Sequence, residues 1–444
     1  MRRLRLLSLL FTLSLFQAPT LVLVAQHTEA IKKQANQELP YLFDLYKHLH
    51  QNPELSFYEK ETSKRLAQEL KSIGFEVTEN IGGYGVVGVL KNGKGPTVLI
   101  RTDTDALPVL EQTGTPYAST VKTKDEAGNE VPVMHACGHD MHMTVWVGVA
   151  RTLKEMKSKW KGTIVMIAQP AEERSGGAKA MLKEGLFEKF PKPDYCLALH
   201  SSASLPAGQI GYCPGYALAS VDMVDITVFG EGGHGAYPHK TIDPIVLASR
   251  MVLDFQTIVS REIAPTDPAV VTVGSIHGGT KHNIIPSEVK LQLTLRSYSE
   301  KVRQHSLDAL KRISKGIALS AGLPASKMPI ITVQDESTPA TYNNPELVDK
   351  VVVSFKKVIG KENLILLDPV MGGEDFSRYG KTADNIPIFI WWLGTVAPNQ
   401  VKESIEKGTT LPSLHSGIYK PLPQPSITTG VSTMTQAVFD LLNK

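Results

Sequence analysis

Thr163-Ile164-Val165-Met166-Ile167-Ala168-Gln169-Pro170-Ala171-Glu172-Glu173 is a short, continuous apolar run that ends in a proline and two adjacent carboxylates. Bounded by Gly162 and Pro170, it reads as a buried strand of a parallel sheet. The same shape recurs on both sides. The run 97–101 leads into Asp103 and Asp105, and the run 195–199 ends at His200. Strands are also predicted over 75–77 and 86–90, and helical spacing over 29–49, 58–73, 145–156 and 178–190. This alternation predicts a largely parallel α/β sheet covered by helices. In such sheets ligands bind beyond the carboxyl ends of the strands, so the polar residues after each run are expected to share one crevice.

From about residue 219 the rhythm changes. Strands are predicted over 221–229, 270–276, 288–296 and 328–333, with helices over 244–260 and 300–320. That β-α-β-β-α-β order is the ferredoxin-like unit. The α/β rhythm returns from about 335, with a helix over 345–359 and a strand over 386–393. The expected architecture is a catalytic α/β domain, 26–218 and 335–444, interrupted by an inserted α+β domain over 219–334. Trp391-Trp392 on the last strand is assigned to core packing, with an aromatic pocket as the alternative.

A chain of 444 residues exceeds one ordinary core, in keeping with two domains. It carries 47 Lys and Arg against 44 Asp and Glu. Arg2, Arg3 and Arg5 all precede the first acid, Glu29, and without them 44 charges of each sign remain. Such a balance has no electrostatic footprint for nucleic acid or an anionic membrane. A hydrophobic content of 42% and a charged content of 20% exclude bulk disorder. The three arginines lead into the apolar stretches 6–16 and 21–25, the signature of an export signal. A leader over 1–25, cleaved after Ala25, predicts a periplasmic or secreted protein, with an uncleaved anchor as the alternative. No later stretch holds eighteen uninterrupted apolar residues. Cys196 and Cys213 permit either a disulfide or two reduced, buried thiols.

The stretch Met134-His135-Ala136-Cys137-Gly138-His139-Asp140 is rich in donor atoms. Cys137 and His139 flank a glycine, so a tight loop lets both turn onto one ion. Thiolate with imidazole suits zinc or a similar first-row metal. Glu173 and His200 supply an oxygen and a nitrogen from neighbouring strand ends. Adjacent glutamates are chemically useful, because Glu173 can hold metal while Glu172 stays free to move protons. In the inserted domain, Gly232-Gly233-His234, Tyr237-Pro238-His239, Gly278-Gly279 and His282-Asn283 follow strand ends, where turn chemistry is the simpler account. A cysteine hydrolase with Cys137 as nucleophile and His139 as base is a rival reading. Its two-residue spacing is poor geometry, and it leaves both glutamates without a role. A non-catalytic binding protein is a second rival, but it has no reason to carry a complete ligand set.

These motifs, together with Gln169-Pro170-Ala171-Glu172-Glu173, Asn283-Ile284-Ile285-Pro286 and Glu374-Asp375-Phe376, resemble the amidohydrolase branch of the M20 metallopeptidases. That branch contains hippurate hydrolases, N-acyl-amino-acid amidohydrolases and plant auxin-conjugate hydrolases. The resemblance runs in order from about Tyr41 to Pro421. It implies two divalent ions, zinc or manganese, held by Cys137, His139, Glu173, His200 and, within Leu414-His415-Ser416, His415. It implies Glu172 as the general acid/base and His234 as a lid histidine that reaches a neighbouring subunit's active site. Asn283 and Arg296 fall at positions that contact substrate. The expected fold is a two-metal α/β domain with a ferredoxin-like lid that mediates homodimerisation. The expected activity is hydrolysis of the amide bond of N-acyl amino acids, with a di- or tripeptidase or carboxypeptidase as the alternative.

Overall fold

The structure, a computed structural model, describes residues 7–443, with side chains from Gln26 onward. Arg2, Arg3 and Arg5 lie outside the described residues, as do the side chains of the rest of the expected leader. Among the described residues no helix is long and apolar enough to cross a membrane. The chain divides into two compact units. The first runs to Pro214 and resumes over Asn343–Leu367 and from Tyr379; the second comprises Gly215–Tyr342 and Asp368–Arg378.

The first unit is built on an eight-stranded sheet. At its centre, the strands Gly162–Gln169, Thr97–Asp103, Tyr195–Pro206 and Ile388–Val396 lie side by side and parallel. The sheet is largely parallel, as expected, with antiparallel pairings toward its two flanks, while the edge strand Leu364–Leu366 again pairs parallel with Ile210–Tyr212. Glu76–Glu79 returns into Val86–Asn92 through a tight turn, and Ile210–Tyr212 reverses after only three residues from Tyr195–Pro206. Connections that short cannot make a parallel crossover.

Helices Leu7–Gln51, His139–Glu155, Pro345–Ile359 and Pro423–Leu442 contribute to one apolar core with these strands. Trp146 is fully buried, and its indole N–H donates to the Ile100 carbonyl at 3.1 Å, which fixes helix His139–Glu155 on the central strand. Trp391 is a core residue, 4.9 Å from Phe355 and 5.1 Å from Phe389 between ring centroids. Cys196 and Cys213 are free thiols.

The second unit is a four-stranded antiparallel sheet. Its order is Ala269–Gly278, Glu288–Ser297, Ser220–Phe229, Ile330–Val333, with helices Pro244–Thr257 and Glu300–Ser320. This is the ferredoxin-like arrangement. Val224, Ile226, Val228, Leu291, Leu293 and Leu295 alternate onto the buried face. The helix starts are written locally: Asp243 and Ser299 accept backbone N–H groups of their own first turns, and Pro244 sits at the first helical position. Buried Asp222 takes a bidentate pair from Arg303, at 2.7 and 2.8 Å, and so ties helix to sheet.

Candidate metal centre

Three parallel strands bring the chemistry together. Asp103 ends one strand opposite Gln169, which ends the next, and the third carries His200. Just past Gln169 the chain turns at Pro170 and presents Glu172 and Glu173. The strand expected to stop at His200 continues to Pro206, because it stays paired with Ile388–Val396 across His200, Ser201 and Ser202. The fourth contribution is the start of helix His139–Glu155. Gly138 caps it at φ +82°, and a Cβ there would lie 2.8 Å from Ser201 Oγ, so only glycine fits. His139 is thus the first helical residue and not part of the expected loop. Residues 139–150 are all buried, which leaves no apolar stripe for periodicity to reveal.

Two of the histidines are oriented by a bond on their far side. His139 Nδ1 lies 2.8 Å from the Asp105 carbonyl, which only an N–H can satisfy, so its Nε2 carries the lone pair. His200 Nδ1 likewise donates to the Ser201 carbonyl at 2.8 Å and leaves Nε2 3.4 Å from Cys137 Sγ. His415 Nε2 lies 3.3 Å from Cys137 Sγ and 3.4 Å from Glu173 Oε1. His139 Nε2 lies 3.9 Å from Glu173 Oε1 and 4.0 Å from Glu172 Oε2. Three triads therefore form: Cys137–His139–His200, Cys137–Glu173–His415 and His139–Glu172–Glu173, each with donor atoms within 4.8 Å of one another.

The residues fit a metal. His139 Nε2 and Glu173 Oε1 are buried without a hydrogen-bond partner, a costly arrangement unless something cationic lies between them. The thiol, imidazole and carboxylate set is that of a first-row ion such as zinc. In the bare chain, burial and the two nearby glutamates push the Cys137 thiol well above its usual range. Burial pulls His139 down, but Asp103, Asp105 and Glu173 carry it up to about 10. A divalent cation reverses both tendencies.

A fourth triad, Asp103–His139–His142, is a support and not a ligand set. His142 Nδ1 bonds Asp103 Oδ1 at 2.6 Å while Nε2 accepts the Ser201 N–H at 2.7 Å, so both nitrogens are engaged. Burial holds His142 down to about 4, in keeping with the neutral form this bonding requires. Asp103 also receives Arg101 Nη1 at 2.6 Å. Deeper still, His50 sits between Asp140 Oδ2 at 2.6 Å and Glu111 Oε1 at 3.0 Å. Sequence reading missed His50 and His142. The i, i+3 spacing of His139 and His142 was a usable signal; nothing local pointed to His50.

The remaining expected residues lie in the second unit. His234 and Asn283 come together there: the two-residue strand Gly233–His234 pairs with Ile284–Ile285, and the Gly235 N–H donates to the Asn283 carbonyl at 2.9 Å. Arg296 lies apart from that ladder, on the strand Glu288–Ser297, its Nε donating to Thr294 Oγ1 at 3.1 Å.

A thiol, three imidazoles and paired glutamates, gathered where parallel strands meet the start of helix His139–Glu155, define a metal-dependent hydrolase site. The family model for Peptidase family M20/M25/M40 matches residues 99–418, and the chain belongs to that family. It is 37% identical over 371 residues to thermostable carboxypeptidase 2 of Saccharolobus solfataricus, covering 83% of this chain and 89% of that one. It is 39% identical over 340 residues to the hippurate hydrolase of Campylobacter jejuni, covering 76% and 84%. Among solved structures it resembles the Bacillus subtilis YXEP protein, described as a dinuclear metal binding peptidase from the M20 family. There the TM-score is 0.74 at 27% identity, covering 92% of this chain and 99% of that one. The protein is a metal-dependent hydrolase of amide or peptide bonds.

Proposed function

We propose that this enzyme cleaves the amide bond of N-acyl amino acids, with hippurate-like conjugates as the substrate class. The likeness to a hippurate hydrolase supports the acyl side of that reading. The observation that carries the chemistry is the placement of Glu172. Its Oε2 stands 4.0 Å from His139 Nε2, at the edge of the donor set and next in the chain to Glu173. Cys137, His139, Glu173, His200 and His415 would hold two divalent ions, zinc or manganese, which supply Lewis acidity and an acidic water when bound. Glu172 then takes the water proton during attack and returns it to the leaving nitrogen, without which an amide anion would have to depart.

His234 is assigned to the developing oxyanion, acting from a second subunit of a homodimer built through the inserted unit. Its Nδ1 accepts the Ala236 N–H at 3.1 Å, so the neutral ring keeps its proton on Nε2 as a donor. Arg296, half-buried and without a carboxylate partner in the described bonds, would pair with the carboxylate of the amino-acid portion, and Asn283 would contact the same substrate. Cleavage of short peptides is the second reading, favoured by the likeness to a carboxypeptidase. Hydrolysis rates over matched panels of N-acyl amino acids and dipeptides, on enzyme loaded with zinc or manganese, separate the two. A preference for free-amine dipeptides sinks the first reading.

A further inference from the structure

The catalytic turn has an unusual backbone. Ala171, the residue before Glu172, sits at φ +48°, a left-handed conformation that a residue with a Cβ adopts only when something holds it. What holds it comes from another part of the chain. The Ala171 N–H donates to Glu59 Oε1 at 2.7 Å. On the other side of Glu172, the Glu173 N–H donates to Asp105 Oδ2 at 3.0 Å, and that same oxygen receives Ser56 Oγ at 2.6 Å. The two backbone amides that bracket Glu172 are therefore tied, one directly and one through Asp105, to the turn 54–59.

That turn is itself fixed at both ends. The Glu54 carbonyl accepts the Ala106 N–H at 2.8 Å. Its carboxylate accepts the Thr62 N–H at 2.8 Å at the start of helix Lys60–Ile73. The Phe57 ring lies so close to Gly176 that a Cβ on that glycine would stand 2.8 Å from it. Glu59 is fully buried, a costly place for a carboxyl group with no task.

We infer that Glu59, with Ser56 behind Asp105, is the positioning residue that holds Glu172 in its working orientation. The inference rests on the reading of Glu172 as the acid/base. A proton-transfer group displaced by about 1 Å loses on the order of 100-fold in rate. Burial, then the nearby Asp105 carboxylate, pushes the Glu59 carboxyl up to about 8, so glutamine resembles its form at neutral pH and keeps the oxygen that Ala171 needs.

The test uses the metal-loaded full chain and a hippurate-type substrate. Glu59→Ala is expected to lower kcat by about 10- to 100-fold with KM and metal content unchanged, and Glu59→Gln to restore most of the loss. On a Glu172→Gln background, Glu59→Ala is expected to add nothing. Unchanged kcat in Glu59→Ala overturns the inference, as does loss of metal in parallel with rate, or no rescue by glutamine. Should Glu59→Ala fail to fold, Ser56→Ala carries the test: a smaller, kcat-specific loss supports the inference, and wild-type kcat overturns it. Inactive Glu172→Gln beside a normal Glu59→Ala removes this inference alone. An active Glu172→Gln removes the reading beneath it.

Discussion

Cys137 and His415, 278 positions apart in the chain, meet with Sγ and Nε2 3.3 Å apart. The contact is set by the backbone. The His415 N–H donates to the Ala136 carbonyl at 2.9 Å, and His415 takes a left-handed φ of +63° to do so. A strained histidine fastened to the residue beside a buried thiol is an arrangement that packing alone does not require. Shared capture of an ion, as the proposed ligand set has it, would account for it.

That account fixes the outcome of metal removal. A strong chelator should abolish amide hydrolysis, and zinc or manganese should restore it. Full activity in a preparation shown by elemental analysis to hold no metal would return the cysteine hydrolase as the better account.

Cys137→Ser should keep the fold but weaken metal retention by more than the cost of losing an outer supporting residue, about 10- to 100-fold. His142→Ala probes that outer layer itself. It removes the bond to Asp103 and leaves the Ser201 N–H unpaired, and metal affinity should fall by about 10- to 100-fold. Equilibrium dialysis against a metal buffer measures both.

Gly138→Ala places a Cβ 2.8 Å from Ser201 Oγ and forces a left-handed backbone on alanine. The backbone term alone costs about 1–2 kcal/mol. Thermal unfolding of the variant should show at least that loss, together with reduced metal retention, because the shift falls between two donors. An unaltered melting temperature would mean that the helix start relaxes freely.

The His50 cluster gives stability a pH signature. Burial lowers His50, but its bonds to Asp140 and Glu111 outweigh that and carry it up to about 10, while both carboxyls are held below their usual range. A raised histidine contributes fully below its unfolded value, near 6.5, and loses that contribution as pH climbs to about 10. Denaturant unfolding should therefore show stability declining between pH 6.5 and 10, by an amount on the order of a few kcal/mol. His50→Gln should flatten that slope. The carboxylate share is lost at the other end, as pH falls below about 4.

Much of the fold was legible because its signals are local. Apolar runs closed by glycine and proline marked the central strands, and Asp243, Ser299 and Asn344 capped helices at the predicted positions. Helix 300–320 and strand 288–296 were read to within a residue. The antiparallel flanks were less legible, because the direction of a strand depends on which neighbour it finds and not on its composition. Helix His139–Glu155 was cut short at its start for a related reason. Buried on all sides, its first turn shows no amphipathic stripe.

The site divides in the same way. The sequence by itself determined the inventory: a cysteine and a histidine around one glycine, two adjacent glutamates after a strand, and an ordered series of motifs that marks the family. Residue type and near spacing are properties of the chain, and they carry the chemistry of the donors. Only the tertiary structure decided which lone pair His139 presents, that both nitrogens of His142 are engaged in support, that His50 stands behind Asp140 at the start of helix His139–Glu155, and that Glu59 stands behind the turn that carries Glu172. Those facts depend on partners dozens to hundreds of positions away. Hydrogen-bond direction, burial and a left-handed φ are consequences of what the folded chain brings alongside, and no local pattern encodes them.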